Sequence, residues 1–209
     1  MRAILVHGMG RTPASMLVLA LRLHNRGLHP ALFAYSATFE SFPGCAERLR
    51  NFIDRKAGRA PFVLVGHSLG TVLLRSVYPS LRNAPVACFF IAPPTRACRA
   101  ARALAAHRLY RLATGQMGQL LADAKFMDTL PVPGCPTRIY AGTGGPAGPG
   151  LPFGGEPNDG ILCVEETAIP GIPVTTVRKV HTFIMNAAVI ADDIARAAAA
   201  VRVRKVPRA

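Results

Sequence analysis

The sequence predicts an α/β fold in which about six mostly parallel strands are flanked by helices. Short apolar runs that suit buried strands alternate along the chain with longer segments that suit helices, and this alternation is typical of a parallel sheet with right-handed crossovers. Half of the 209 residues are apolar, so we expect residues 1–209 to form a single domain with one substantial core. Because the first strand begins at residue 3, we expect a minimal version of the fold.

Each strand is predicted from an apolar or β-branched run. The strands are expected over residues 3–7, 30–35, 61–66, 86–91, 137–141 and 173–178. The first and third runs contain only Ala, Ile, Leu, Val and Phe at their centres, and the last is rich in Val and Thr. Helices are expected over residues 13–26, 42–57, 69–81, 96–124 and 185–203.

A Gly-x-Ser-x-Gly turn connects the third predicted strand to the next helix. Its sequence is Gly66-His67-Ser68-Leu69-Gly70. A strand, this turn and a helix form a nucleophile elbow, whose sharp bend holds the serine hydroxyl clear of the backbone. The flanking positions must be nearly free of side-chain atoms, and two glycines meet that need. The alternative is an ordinary loop before a helix, but the surrounding elements favour the elbow, with Ser68 as nucleophile.

Backbone donors for an oxyanion are predicted at two turns. The segment His7-Gly8-Met9-Gly10 directly follows the first strand. In a fold with a nucleophile elbow, the oxyanion is bound by the amide after the nucleophile and by an amide from the loop of an early strand. We therefore assign the backbone N–H groups of Met9 and Leu69 to this role.

His181 is the candidate general base among the six histidines. It lies between the last predicted strand and the last predicted helix, which is where the chain order serine, acid, histidine requires the base. His7 and His67 lie within the two glycine turns and are interpreted as structural. The other three histidines belong to surface-like segments.

The acid that orients this base must lie between Ser68 and His181 in the sequence. Asp159 is the best candidate because it lies in a polar turn after the fifth predicted strand. Asp128 precedes that strand, and Glu165 and Glu166 would serve only if the loop folded differently. An aspartate of an ordinary Asn-Asp-Gly turn is the remaining alternative.

Several motifs together resemble the small bacterial α/β-hydrolases of the lipase and GPI-inositol-deacylase-like esterase group. Besides the elbow, the shared segments are residues 7–13, 33–38, 113–121, 157–160 and 180–185. The resemblance extends from residue 3 to about residue 196. It implies that Ser68 is the nucleophile, Asp159 the acid and His181 the base. Thr71 departs from the pattern, since a third glycine often follows the elbow.

This resemblance implies a serine hydrolase that cleaves carboxylic esters of small molecules through an acyl-enzyme. The same three side chains could serve a thioesterase, an amidase or an acyltransferase. A non-enzymatic basic binding protein on the same scaffold is the alternative from another class. No Cys-x-x-Cys, Cys/His cluster or Gly-x-Gly-x-x-Gly loop is present, so we expect no metal and no cofactor.

Cysteine usage and hydropathy favour the cytoplasm. The five cysteines are odd in number and scattered, which is typical of a reducing compartment. We recognise no signal peptide and no run that approaches the ~18 apolar residues of a membrane span.

Positive charge is abundant, with a formal net charge of +14. The chain has no tryptophan and only four tyrosines, and we find no basic segment interleaved with aromatic residues that could stack on bases, so we expect no nucleic-acid partner. The tightest basic run is the tail, residues 202–209. Residues 95–130 form a second basic segment, where the resemblance implies a short cap or lid. A weak contact of this segment with an anionic lipid surface is one interpretation, and a solvated helix packed on the sheet is the favoured alternative.

Overall fold

Six parallel strands form one sheet, which confirms the fold class predicted from the sequence. The computed structural model describes residues 1–151 and 153–204. The strands are β1 (Arg2–Val6), β2 (His29–Phe33), β3 (Phe62–His67), β4 (Ala87–Ile91), β5 (Thr137–Gly142) and β6 (Val174–Val177). Their order across the sheet is β2-β1-β3-β4-β5-β6, and every neighbouring pair is parallel.

The adjacent strands β1 and β3 bring the two glycine turns to one edge of the sheet. Val6 at the end of β1 pairs with Gly66 near the end of β3. Just beyond β3, the backbone N–H of Ser68 donates to the carbonyl of Ile91 in β4 over 2.9 Å. Because the carboxyl ends of parallel strands meet at the same edge, both turns lie side by side.

Helices cover both faces of the sheet. They are α1 (Leu17–His24), α2 (Phe42–Ala57), α3 (Leu69–Val77), α4 (Arg99–Leu104), α5 (Arg108–Leu120), α6 (Ala124–Thr129), α7 (Val164–Thr167) and α8 (Ala188–Arg204). Alternate residues of β1 point to opposite faces, so Ile4 packs in one core cluster and Leu5 in the other. Helices α2 and α3 pack with Ile4, whereas α1 and α8 pack with Leu5.

Some predicted boundaries shift by a few residues. The helix expected over 69–81 ends at Val77, and a short 3-10 turn over Tyr78–Ser80 follows it. The last helix begins at Ala188 rather than at residue 185, because Ala187 has extended backbone angles after a 3-10 turn. The backbone of α8 continues to Arg204, and the rest of the predicted basic tail, residues 205–209, lies outside the described residues.

No helix within residues 1–151 and 153–204 combines the length and the hydropathy needed to cross a bilayer.

Candidate active site

Ser68 occupies a strained turn between β3 and α3. Its backbone angles are φ 50° and ψ −124°, a region that residues with a side chain rarely adopt. Gly70 makes this bend possible, since a Cβ at that position would lie 2.4 Å from the carbonyl oxygen of Val6. Ser68 is half-buried, so its hydroxyl is accessible at the carboxyl edge of the sheet.

The turn after β1 lies against the same serine. A Cβ on Gly8 would be 3.1 Å from the Cβ of Ser68, so the two backbones approach closely only because this residue is glycine. Among the described residues, none accepts a hydrogen bond from the N–H of Met9. Leu69 is the first residue of α3, and the first N–H groups of a helix lack intrahelical partners. Both amides assigned from the sequence therefore belong to the turns that meet at Ser68, and neither has an acceptor among the described residues.

A buried Asp159 and a half-buried His181 form an acid–base pair. The Nδ1 of His181 lies 2.7 Å from Oδ2 of Asp159, and the backbone N–H of His181 donates to the Asp159 carbonyl over 2.9 Å. The other carboxylate oxygen, Oδ1, accepts from the backbone N–H groups of Ile161 at 2.9 Å and Leu162 at 2.8 Å. With Nδ1–H donating to the carboxylate, Nε2 of His181 keeps its lone pair for a proton from another group.

Asn158 holds the loop that carries this acid. Its side-chain Nδ2 donates to the carbonyls of Pro146 and Glu156, and its backbone carbonyl accepts from the N–H of Gly145. The side chain is buried. The sequence suggests only a turn residue here, and no local signal reveals that Asn158 fastens two distant parts of the loop.

His67 contacts the backbone of His181. Its Nε2 lies 3.0 Å from the carbonyl oxygen of His181, so this ring nitrogen donates the hydrogen bond. Burial lowers the pKa of His67 well below its ordinary value of 6.5, and the nearby His181 adds to this effect. The neutral form therefore predominates at neutral pH, with its proton on Nε2. His7 is also buried, and its ring stacks on Tyr35 with the centroids 4.3 Å apart.

The other candidate acids lie elsewhere. Asp128 is exposed on α6, and Glu165 is exposed and pairs with Arg96 over 2.9 Å. Glu166 is buried, and its two carboxylate oxygens accept from the backbone N–H groups of Arg99 and Cys163. Hydrogen bonding thus unites His181 with Asp159 rather than with any of these three carboxylates.

One cavity opens onto Ser68 and His181. Its volume is about 260 Å³, and most of its lining is apolar. The lining residues are Met9, Arg11, Ser68, Pro94, Cys98, Ala100, Ala101, Leu104, Tyr110, Leu121, Ile161, Leu162, His181 and Thr182. Among the described residues, neither Ser68 Oγ nor His181 Nε2 has a hydrogen-bond partner. Hydrogen bonds between catalytic side chains often tighten only when a substrate is bound.

The predicted cap segment forms one wall of this cavity. Residues of α4 and α5, together with Cys98 and Leu121, contribute to the lining. The start of the segment is fastened to the loop that carries Asp159, since Arg99 pairs with Glu156 over 3.0 Å in addition to its backbone bond to Glu166. Two arginines of the basic segment, Arg96 and Arg99, therefore have carboxylate partners from outside the segment.

Across the part of the chain that the structure describes, no three His, Cys, Asp or Glu side chains gather as a metal site would require.

The glycine-flanked serine at the edge of a parallel sheet, with a carboxylate–histidine pair beside it, is the arrangement of an α/β hydrolase. The sequence model of the Alpha/beta hydrolase family matches residues 3–209. Because this match covers nearly the whole chain, the protein belongs to that family. The resemblance stated from the motifs is thus confirmed at the level of the family. No functionally curated protein is significantly similar to the chain in sequence.

Solved structures share the fold at low sequence identity. A metagenomic carboxyl esterase superposes with a TM-score of 0.74 at 14% identity, over 96% of this chain and 76% of that one. The mature lipase of Bacillus licheniformis gives a TM-score of 0.69 at 16% identity, over 88% and 86%. The thioesterase of prodiginine biosynthesis from Streptomyces coelicolor gives 0.62 at 17% identity, over 94% and 85%. At these identities the likeness concerns the fold alone.

Proposed function

We propose that the protein is a serine hydrolase that cleaves carboxylic esters through an acyl-enzyme on Ser68. The observation that carries this proposal is the 2.7 Å contact between His181 and a buried Asp159, in a cavity that His181 shares with Ser68. The relation of a nucleophile, a base and a group that orients the base is the general requirement for activating a serine hydroxyl.

In the first half of the reaction, Nε2 of His181 takes the proton of Ser68 Oγ while this oxygen attacks the ester carbonyl carbon. The carbonyl π electrons move to the oxygen, which the backbone N–H groups of Met9 and Leu69 stabilise as an oxyanion. Asp159 stabilises the imidazolium that forms. When the tetrahedral intermediate collapses, the bond to the alcohol breaks, and His181 returns the proton to the leaving alcohol.

In the second half, water replaces the alcohol. His181 takes a proton from the water as it attacks the acyl-enzyme, the same amides bind the second oxyanion, and Ser68 Oγ leaves with the proton from His181. The net reaction consumes one ester and one water and releases one acid and one alcohol.

The substrate proposed from the cavity is a small ester with an apolar acyl part. A volume of about 260 Å³ is near the lower limit of the ~300–1,000 Å³ of ligand pockets, which favours short chains. The same chemistry would act on a thioester or an amide, or would pass the acyl group to another alcohol, and a substrate panel must decide among these. We also propose that residues 95–130 act as a cap of a single domain. The lipase and GPI-inositol-deacylase-like subgroup, the cytoplasmic location and weak contact with anionic lipid stay predictions.

Labelling by a fluorophosphonate probe tests the proposal. Only an activated serine reacts, so the wild type should be labelled, and Ser68→Ala should lose both labelling and turnover of p-nitrophenyl esters from acetate to palmitate. Ser76→Ala is the matched control, because it removes another half-buried hydroxyl, from the helix α3 that follows Ser68, and this hydroxyl only donates to the carbonyl of Leu73. Labelling that persists in Ser68→Ala, or no labelling of the wild type, would contradict the assignment. The latter result would favour the binding-protein alternative.

A further inference from the structure

Arg11 is the one arginine or lysine, among the described residues, that lines the cavity around Ser68. It lies two residues after Met9, on the turn that supplies the proposed oxyanion donor, and it is half-buried. The rest of the lining is apolar or neutral apart from His181. A permanent positive charge therefore lines the same, mostly apolar cavity as the proposed nucleophile.

This charge has no counterion within the protein. In the part of the chain that the structure describes, no carboxylate lies within ion-pairing distance of Arg11. Arg99, which is also half-buried, pairs with Glu156. The arginine buried most deeply, Arg75, donates to the carbonyls of Leu130 and Pro131. By contrast, the described residues offer the Arg11 guanidinium no hydrogen-bond acceptor, so its donors are available to a ligand.

The charge of Arg11 acts on the reacting end of the cavity. After burial and the neighbouring His181, it is one of the causes that lower the pKa of His67, the residue immediately before Ser68. Arg11 and Ser68 line the same cavity, so this charge also faces a substrate bound at Ser68. Apolar walls exclude water and strengthen such an interaction.

A guanidinium in this setting matches the geometry of an anionic group. Its planar fork donates two parallel hydrogen bonds to a carboxylate or a phosphate, and such charge-assisted bonds are about twice as strong as neutral ones. A neutral ester would leave Arg11 partly desolvated and without a partner, whereas an ester that carries an anion would satisfy it.

We propose that Arg11 binds an anionic oxygen group, a carboxylate or a phosphate, on the substrate, so that the enzyme prefers acidic esters over neutral ones of the same shape. This inference deepens the proposed function and rests on it. The substrate class is an ester with a short apolar part in the cavity and an acidic group beside the oxyanion turn.

Two matched pairs of chromogenic esters test this preference. In the first pair, p-nitrophenyl hemiglutarate and p-nitrophenyl valerate have the same acyl length, and only the former ends in a carboxylate. In the second pair, the carboxylate is on the ring of the leaving phenol instead. We expect kcat/KM of the wild type to favour the anionic member of at least one pair by about tenfold or more, mainly through KM. The pair that shows the preference tells which half of the ester carries the anion.

Substitution of Arg11 should remove the preference for the anionic ester and have little effect on hydrolysis of the neutral ester. In Arg11→Gln we expect the anionic-to-neutral ratio to approach one, with kcat/KM for the neutral ester within about twofold of the wild type. Arg11→Lys should retain part of the preference as a point charge. Arg50→Gln is the matched control, because it removes a half-buried positive charge from α2, away from the cavity.

A ratio unchanged in Arg11→Gln would overturn the inference, as would an equal loss on both esters, which would mean that Arg11 serves the fold or the reacting carbonyl. If the wild type hydrolyses no ester, the hydrolase proposal fails separately. Calorimetric binding of the same esters to wild type and Arg11→Gln then decides the role of Arg11. Tighter binding of the anionic ester by the wild type alone supports the inference, and equal binding of both esters contradicts it.

Discussion

Replacing Asp159 by asparagine tests the orienting acid most directly. In the wild type, Oδ1 accepts two backbone N–H groups, from Ile161 and Leu162, while Oδ2 accepts from His181. The asparagine must keep its oxygen toward the two backbone donors, because an NH₂ group there would face other donors. Its nitrogen then faces Nδ1 of His181 and donates to it.

That reversal holds His181 in the wrong tautomer. Nδ1 must now offer a lone pair, so the ring proton moves to Nε2, which can no longer accept the proton of Ser68. In a serine protease the corresponding change lowers kcat by ~10⁴, which corresponds to about 5.4 kcal/mol of transition-state stabilisation. We expect a similar loss here, with little change in stability, because both backbone hydrogen bonds survive.

The assay is kcat/KM on a short p-nitrophenyl ester together with the rate of fluorophosphonate labelling, and thermal unfolding serves as the check on the fold. Glu165→Gln is the matched control, since this exposed carboxylate pairs only with Arg96 and should be dispensable. The reasoning is refuted if Asp159→Asn keeps activity within tenfold of the wild type, or if Glu165→Gln shows the large loss instead.

Three further predictions concern packing, pH and the cap. Gly70→Ala should lower the free energy of unfolding, measured with urea, by about 3 kcal/mol, because the new Cβ meets a backbone carbonyl. Gly155→Ala is the control, since its Cβ meets no atom within 4 Å and should leave the free energy of unfolding unchanged. Equal effects of the two substitutions would contradict this account. Burial keeps the pKa of His67 well below 6.5, so the unfolded chain binds a proton that the folded chain does not. The contribution of the neutral His67 to the free energy of unfolding should be fully present above about pH 6.5. Below that pH, the free energy of unfolding should fall by up to about 1.4 kcal/mol per pH unit. Unfolding curves that coincide at pH 7.5 and 5.5 would argue against this prediction. Replacing the exposed Arg102 and Arg108 by glutamine should weaken binding to anionic vesicles at low salt without changing turnover of a short ester, and unaltered vesicle binding would end the membrane interpretation.

The sequence alone determined the features that depend on short stretches of chain. Buried runs such as residues 3–6 and 62–65 indicate strands whatever the rest of the molecule does, since a parallel strand is apolar on both faces. Because the strands are parallel, the turns after β1 and β3 must both lie at the carboxyl edge of the sheet. The elbow at Ser68 and the position of His181 after β6 could therefore be predicted without coordinates.

The sequence ranks Asp159 first among the candidate acids, but only the tertiary structure shows that its carboxylate contacts His181 and that Arg11 lines the same cavity as His181. Asp159, Glu165 and Glu166 lie within eight positions of one another, and their separation depends on how Asn158 and its long-range hydrogen bonds fold the loop. Likewise, nothing near Arg11 in the sequence shows that residues of α4 and α5 line the same cavity as Arg11. Strands and the elbow depend on residues that are neighbours in the sequence, so the sequence could predict them. Loop geometry and counterion pairing depend on contacts between segments that are distant in the sequence, so only the tertiary structure could show them.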